Sequence, residues 1–195
     1  MPAAARKAET EIAENQAQDN YDIMRNHFRV VLEGTNINAT SLLTNDYINH
    51  FSSIMMLIEM LPIAPDDFME EIQAWRPLSY QEHLEQSGFR EKELAIAAYD
   101  HAPRTIRSAF DHVVKSMQEL SIHLIGGIRI AMETGQRDDI ARLSMEGVPQ
   151  LRELIDQAAA IVNGETNMHV GNIRSAEPRA EDDSAAQAMV DELFD

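Results

Sequence analysis

Seven histidines and no cysteine leave imidazole and carboxylate as the strong metal ligands this chain can offer. Disulfides, thiolate metal sites and cysteine nucleophiles are excluded by the same count. Two groupings have suitable spacing. His112, Glu119 and His123 stand at i, i+7 and i+11, one stripe of an α-helix, and Asp46 and His50 lie four apart on another stretch. Facing helices that bring such groups together hold iron, manganese or zinc and support redox, oxygen or storage chemistry.

The ferritin-like Glu-x-x-His pair is absent at both places, and no repeated histidine set of hemerythrin type occurs. An ordinary surface pairing of Glu119 with His123, with His50 at the edge of the core, uses the same residues more simply. Other chemistry has less to stand on. In Glu82-His83 and Tyr99-Asp100-His101, acid and base are sequence neighbours, which point apart on a helix. Gly126-Gly127 lacks the lysine context of a phosphate loop. No catalytic residue is assigned.

The elements that would position these groups are helices. From Pro103 to Met132, Ile106, Phe110, Val113, Met117, Leu120, Leu124, Ile128 and Ala131 recur every three or four residues, and Gly135 suits a closing left-handed turn. Ser41 to Leu61 predicts a second strong helix with Leu43, Tyr47, Phe51, Ile54, Ile58 and Leu61 inward. Leu42, Met55 and Leu57 broaden its face enough for it to be surrounded on several sides. Tyr21, Met24, Phe28 and Val31 mark an earlier helix ending near Glu33. Pro65, with Asp66 and Asp67, starts a short helix whose inner face is Phe68, Ile72 and Trp75.

Ser79 and Glu82 form a capping-box pattern, and residues 91–100 make another short helix. Residues 137–145 predict a further helix that Gly147 and Pro149 interrupt, before a last one from Pro149 to Val162 closed by Gly164. Gly126 and Gly127 predict a close crossing or a kink. The expected fold is therefore all-α: a bundle of about four longer helices with short ones between them. The chain divides into a mobile N-terminal segment at 1–20, the bundle at 21–163, a disordered acidic linker at 164–183 and a C-terminal peptide at 184–195.

With 33 acidic and 16 basic residues the net charge is −17, which disfavours nucleic acid or an anionic membrane as partner. No segment reaches the length of about 18 apolar residues needed to span a bilayer, and the N-terminal residues lack the apolar centre of a secretory leader. A cytoplasmic location is expected. In the peptide at 184–195, Met189, Val190, Leu193 and Phe194 share one helical face. A helix this short is marginal alone, so that face asks for a cover: a groove on a protein partner or the bundle itself.

The string Gln187-Ala-Met-Val-Asp-Glu-Leu-Phe resembles the acidic peptide by which the chemotaxis phosphatase family CheZ and certain flagellar switch proteins bind a response regulator. That resemblance implies docking on a response regulator through these residues. The family's Asp-x-x-Gly-Gln pattern has only Met132-Glu133-Thr134-Gly135-Gln136 as its local match, without the Asp, so phosphatase activity is not carried over. The same tail also resembles, at looser spacing, the peptides that bacterial proteins place in the sliding clamp. The sequence thus predicts a non-enzymatic regulatory or adaptor protein. Its rivals are the metal-binding bundle and a homo-oligomer joined through the Met-rich second helix.

Overall fold

The computed structural model describes residues 23–165 apart from 25 and 29; Met189, Val190, Leu193 and Phe194 lie outside them. Helical backbone at 23, 24, 26–28, 30 and 31 forms α1, followed by α2 (Asp46–Met60), α3 (Pro65–Ala74), α4 (Tyr80–Gln86), α5 (Lys92–Asp100), α6 (Arg104–Thr134) and α7 (Arg137–Val162). The described residues are all-α, with one isolated antiparallel bridge, Ile37 to Thr44, in place of any strand. No described helix is long and apolar enough to cross a membrane.

The frame is an antiparallel hairpin of α6 and α7. Gly135 takes φ 72°, and the amides of Gln136 and Gly135 donate to the carbonyls of Ala131 and Met132, so the chain reverses within two residues. Seven of the eight residues expected to face inward on α6 are buried. Leu120 is half-buried, and Ser121 holds the central position instead.

Two glycines set the crossing. A Cβ on Gly127 would sit 3.0 Å from Leu143 Cδ1, and one on Gly147 would sit 2.3 Å from Leu124 Cδ2. Each helix thus lodges a leucine over the other's glycine. A helical glycine costs about 1 kcal/mol of propensity, whereas burying a leucine contributes roughly 1.5–3 kcal/mol, so packing wins. Gly126, with nothing within 4 Å of a built Cβ, takes no part.

The expected break at Gly147 and Pro149 is not found: α7 runs unbroken through both. Pro149 removes one N–H from the ladder, but Ile140, Val148, Leu151, Ile155 and Ala158 are buried on either side of it and hold both halves against the frame. Gly147 is there for the approach of Leu124, not for a helix end.

Against this hairpin lies α2; the six residues expected inward are all fully buried, Tyr47, Phe51, Ile54 and Ile58 on the helix itself and Leu43 and Leu61 just outside its ends. It packs on α3, α4, α6 and α7, as its broad apolar face requires. The Ser144 hydroxyl of α7 donates to the Ile58 carbonyl at 2.9 Å. Unlike the sequence expectation, α2 begins at Asp46 rather than Ser41. The Asn38 side chain accepts from the Thr40 and Ser41 amides, and this local bonding competes with helix. Leu42 then turns at φ 61° and Leu43 follows, both fully buried, so they join the core from a loop.

The α7 terminus is fastened to that loop. Ser41 Oγ donates to the Val162 carbonyl, Asn45 reaches Asn163, and Gly164 closes the helix at φ 77° beside Thr40. On α1, Phe28 is buried as expected, while Met24 and Val31 are exposed and Leu32 takes the inner position. Tyr21 lies outside the described residues. Pro65 opens α3, and both bonds of the Ser79–Glu82 capping box are made.

Candidate functional site

Where α2 meets α4, α5 and α6, three of the four tyrosines converge with two histidines and a tryptophan. Tyr47 is fully buried and its hydroxyl donates to the Leu78 carbonyl at 2.7 Å. Gln118 Nε2 donates to the same carbonyl at 3.0 Å and lies 3.4 Å from the Tyr47 oxygen. Tyr80 is placed by the first turn of α4, and its hydroxyl accepts from the Thr44 amide at 3.0 Å. Tyr80 stacks on Tyr99 with ring centroids 4.7 Å apart and meets Phe110 edge-on. The Tyr99 hydroxyl donates to Asp111 Oδ1, tying α5 to α6. Burial pushes all three tyrosine hydroxyls far above their ordinary range, so they act as neutral donors and acceptors.

These rings line a cavity of about 190 Å³ whose buried wall is Tyr47, Tyr80 and Phe110 and whose mouth carries Asp111, Lys115 and Gln118. Beside it, His50 stacks on Trp75 at 4.9 Å, while its Nε2 donates to the Arg76 carbonyl at 3.0 Å. Trp75 Nε1 returns a bond to the His50 carbonyl at 3.4 Å. Burial lowers the His50 pKa, with the neighbouring His83 adding to the effect. His83 Nε2 donates to the Asp46 carboxylate at 3.2 Å and to its carbonyl at 3.1 Å.

The alternative metal grouping, Asp46, His50, His112, Glu119 and His123, is not brought together. His112, Glu119 and His123 lie on the exposed face of α6, away from the helix contacts that bury His50. Glu119 pairs with Lys115 at 3.8 Å, one turn earlier, rather than with His123. Asp46 and His50 do share a region of α2, but Asp46 is taken by His83 and His50 by Arg76 and Trp75. Among the described residues no three His, Asp or Glu side chains gather as metal ligands would. Met132 to Gln136 is a helix end: Gly135 is left-handed, and Gln136 precedes α7 with its side chain accepting from Thr134 Oγ1 at 2.9 Å.

Sequence spacing missed the tyrosine cavity because its members come from four helices, and no periodicity relates Tyr99 to Asp111 or Tyr47 to Leu78. The available signal was compositional. Aromatic residues make up only 6% of the chain, yet Trp75, Tyr80, Phe89, Tyr99 and Phe110 follow one another within the stretch of short helices and the start of α6. No family model matches the chain, and neither does a curated protein or a solved structure.

Proposed function

We propose that this chain is a cytoplasmic regulatory or adaptor protein that docks a protein partner, of response-regulator type, through Met189, Val190, Leu193 and Phe194. The observation that carries the reading is the pattern of those four residues beyond an acidic stretch with no apolar residue larger than alanine, EPRAEDDS. The fold is compatible with it. The α7 terminus is anchored to the loop before α2, so the peptide begins some twenty residues past a fixed point. A span of that length gives a tethered peptide wide reach. Asp191, Glu192 and Asp195 would favour a basic-rimmed groove and speed encounter more than they tighten binding.

The test is capture from lysate of the native host, comparing the full chain with one ending at Asp183, with bound proteins identified by mass spectrometry. A response regulator held only by the full chain is the expected result. Equal capture by both forms, or capture of none, removes the reading. A second reading, self-association through α2, draws on the exposed Met56 and Met60 and the following Ile63. It predicts a mass that rises with concentration and falls back on Met56→Glu.

A further inference from the structure

We infer that the outer face of α6 is a docking site for this chain's own C-terminal peptide, residues 184–195, which closes over Gly126 when no partner holds it. The inference rests on the amphipathic peptide of the proposed function, but not on any partner. Three glycines lie inside the helices of the α6–α7 hairpin. Gly127 and Gly147 each lodge a leucine of the opposing helix, whereas Gly126 has nothing within 4 Å of a built Cβ. Its helix-propensity cost of about 1 kcal/mol is therefore offset by no contact among the described residues. Ile122 and Ile130, four residues to either side, are 52% and 56% exposed. The three positions form one stripe about 12 Å long, two branched apolar side chains with a gap between them. A gap over a glycine is what receives a leucine within the hairpin itself.

Charge points to the occupant. On α6, Arg104, Arg107, Lys115 and Arg129 stand against Asp111, Glu119 and Glu133, while α2, α3, α4, α5 and α7 each hold more acidic than basic residues. Arg129, one turn after Gly126, is exposed and makes no ion pair among the described residues. In the peptide, Asp191, Glu192 and Asp195 alternate with Met189, Val190, Leu193 and Phe194, so acidic groups flank an apolar set of matching length. A second α6 is the poorer fit: antiparallel pairing about Gly126 sets Glu119 against Glu133. The tether reaches. Leu124 over Gly147 and Leu143 over Gly127 fix the register of the antiparallel helices, which puts the end of α7 beside the first turns of α6. From there Gly126 is roughly 26 Å along the hairpin. A coil of twenty-four residues, the number from 165 to 188, spans about 27 Å. Such a tether holds the peptide at an effective concentration of order millimolar, so a weak contact suffices.

Because the chain has no cysteine, Ser184→Cys offers a single site for a nitroxide on the isotopically labelled full chain, read as paramagnetic broadening of backbone amides. Broadening concentrated on residues 119–133 is expected. Gly126→Gln and Ile130→Glu should each reduce it to the level of a chain carrying Leu193→Ala and Phe194→Ala. Open space at Gly126 and exposure of Ile130 let both variants keep the fold. Mixing isotopically labelled chain without nitroxide and unlabelled chain with it should give no localised broadening. Localised broadening in that mixture would seat the peptide on a second copy and overturn closure within one chain. The site is overturned by absence of localised broadening, by broadening centred on another face such as Met56 and Met60 of α2, or by broadening of α6 that survives both variants. No partner enters this experiment, so its failure leaves capture from lysate standing, and failed capture leaves this result standing.

Discussion

The α6–α7 hairpin and the α4–α5 corner are built by different physics. In the hairpin, apolar residues at helical spacing interlock, and the close approach is set by Leu124 over Gly147 and Leu143 over Gly127. In the corner, helices of seven and nine residues contribute few buried side chains. They are held by bonds between side chains and backbone: Tyr47 and Gln118 donate to the Leu78 carbonyl, His50 donates to the Arg76 carbonyl, and the Tyr80 hydroxyl accepts from the Thr44 amide. Interlocked packing resists deformation, whereas a bonded network of short helices leaves a hollow with polar groups at its mouth. The cavity lies on the bonded side of that division.

The largest expected effect is at the crossing. Gly147→Ala places a methyl inside Leu124 and should cost about 1–3 kcal/mol in denaturant unfolding. Gly126→Ala, with open space around it, should instead gain about 1 kcal/mol from propensity alone. If both alanines act alike, the interlock is not what sets the hairpin. Adding Leu124→Ala to Gly147→Ala should cost less than the two separate losses combined, since the two residues share one contact.

An intermediate effect is expected in the corner. Tyr47→Phe removes a bond to Leu78 while Gln118 still serves that carbonyl, so a loss of about 0.5–1.5 kcal/mol is expected. Because Tyr47 also forms part of the cavity wall, the change should be visible in the amide shifts of Tyr99 and Gln118.

The smallest effect is a pH dependence. Burial keeps His50 neutral below the ordinary 6.5, whereas the unfolded chain takes up that proton. The unfolded state then binds more protons, so stability falls as pH drops below 6.5 and goes on falling until the folded-state pKa is passed. His50→Gln, which keeps a donor for Arg76 without titrating, should flatten the decline. An unchanged slope in thermal unfolding from about pH 7 to about pH 5 would assign the decline to other groups.

How far the sequence could be read follows the same division. The stripe of α6, its end at Gly135 and the inward set of α2 were legible because burial against other helices imposes one period. The capping box at Ser79 was legible because it is local. Two local signals misled. Pro149 and Gly147 looked like a helix boundary, yet burial on both sides carries α7 through them. Ser41 to Thr44 looked helical by hydrophobicity, yet the bonds of Asn38 turn the backbone and deliver Leu42 and Leu43 to the core as loop residues. The histidine stripe on α6 had ligand spacing, but among the described residues no facing helix covers it. The tyrosines of the cavity come from three different helices, so no spacing gave them away.

The most direct test of this division is native-state hydrogen exchange on the full chain, read by mass spectrometry of peptides. Slowest exchange is predicted in residues 113–131 and 140–158, limited by global unfolding, with measurably faster exchange in 80–100 through local opening. Equal protection in the two regions, or earlier opening of the hairpin, would contradict the account.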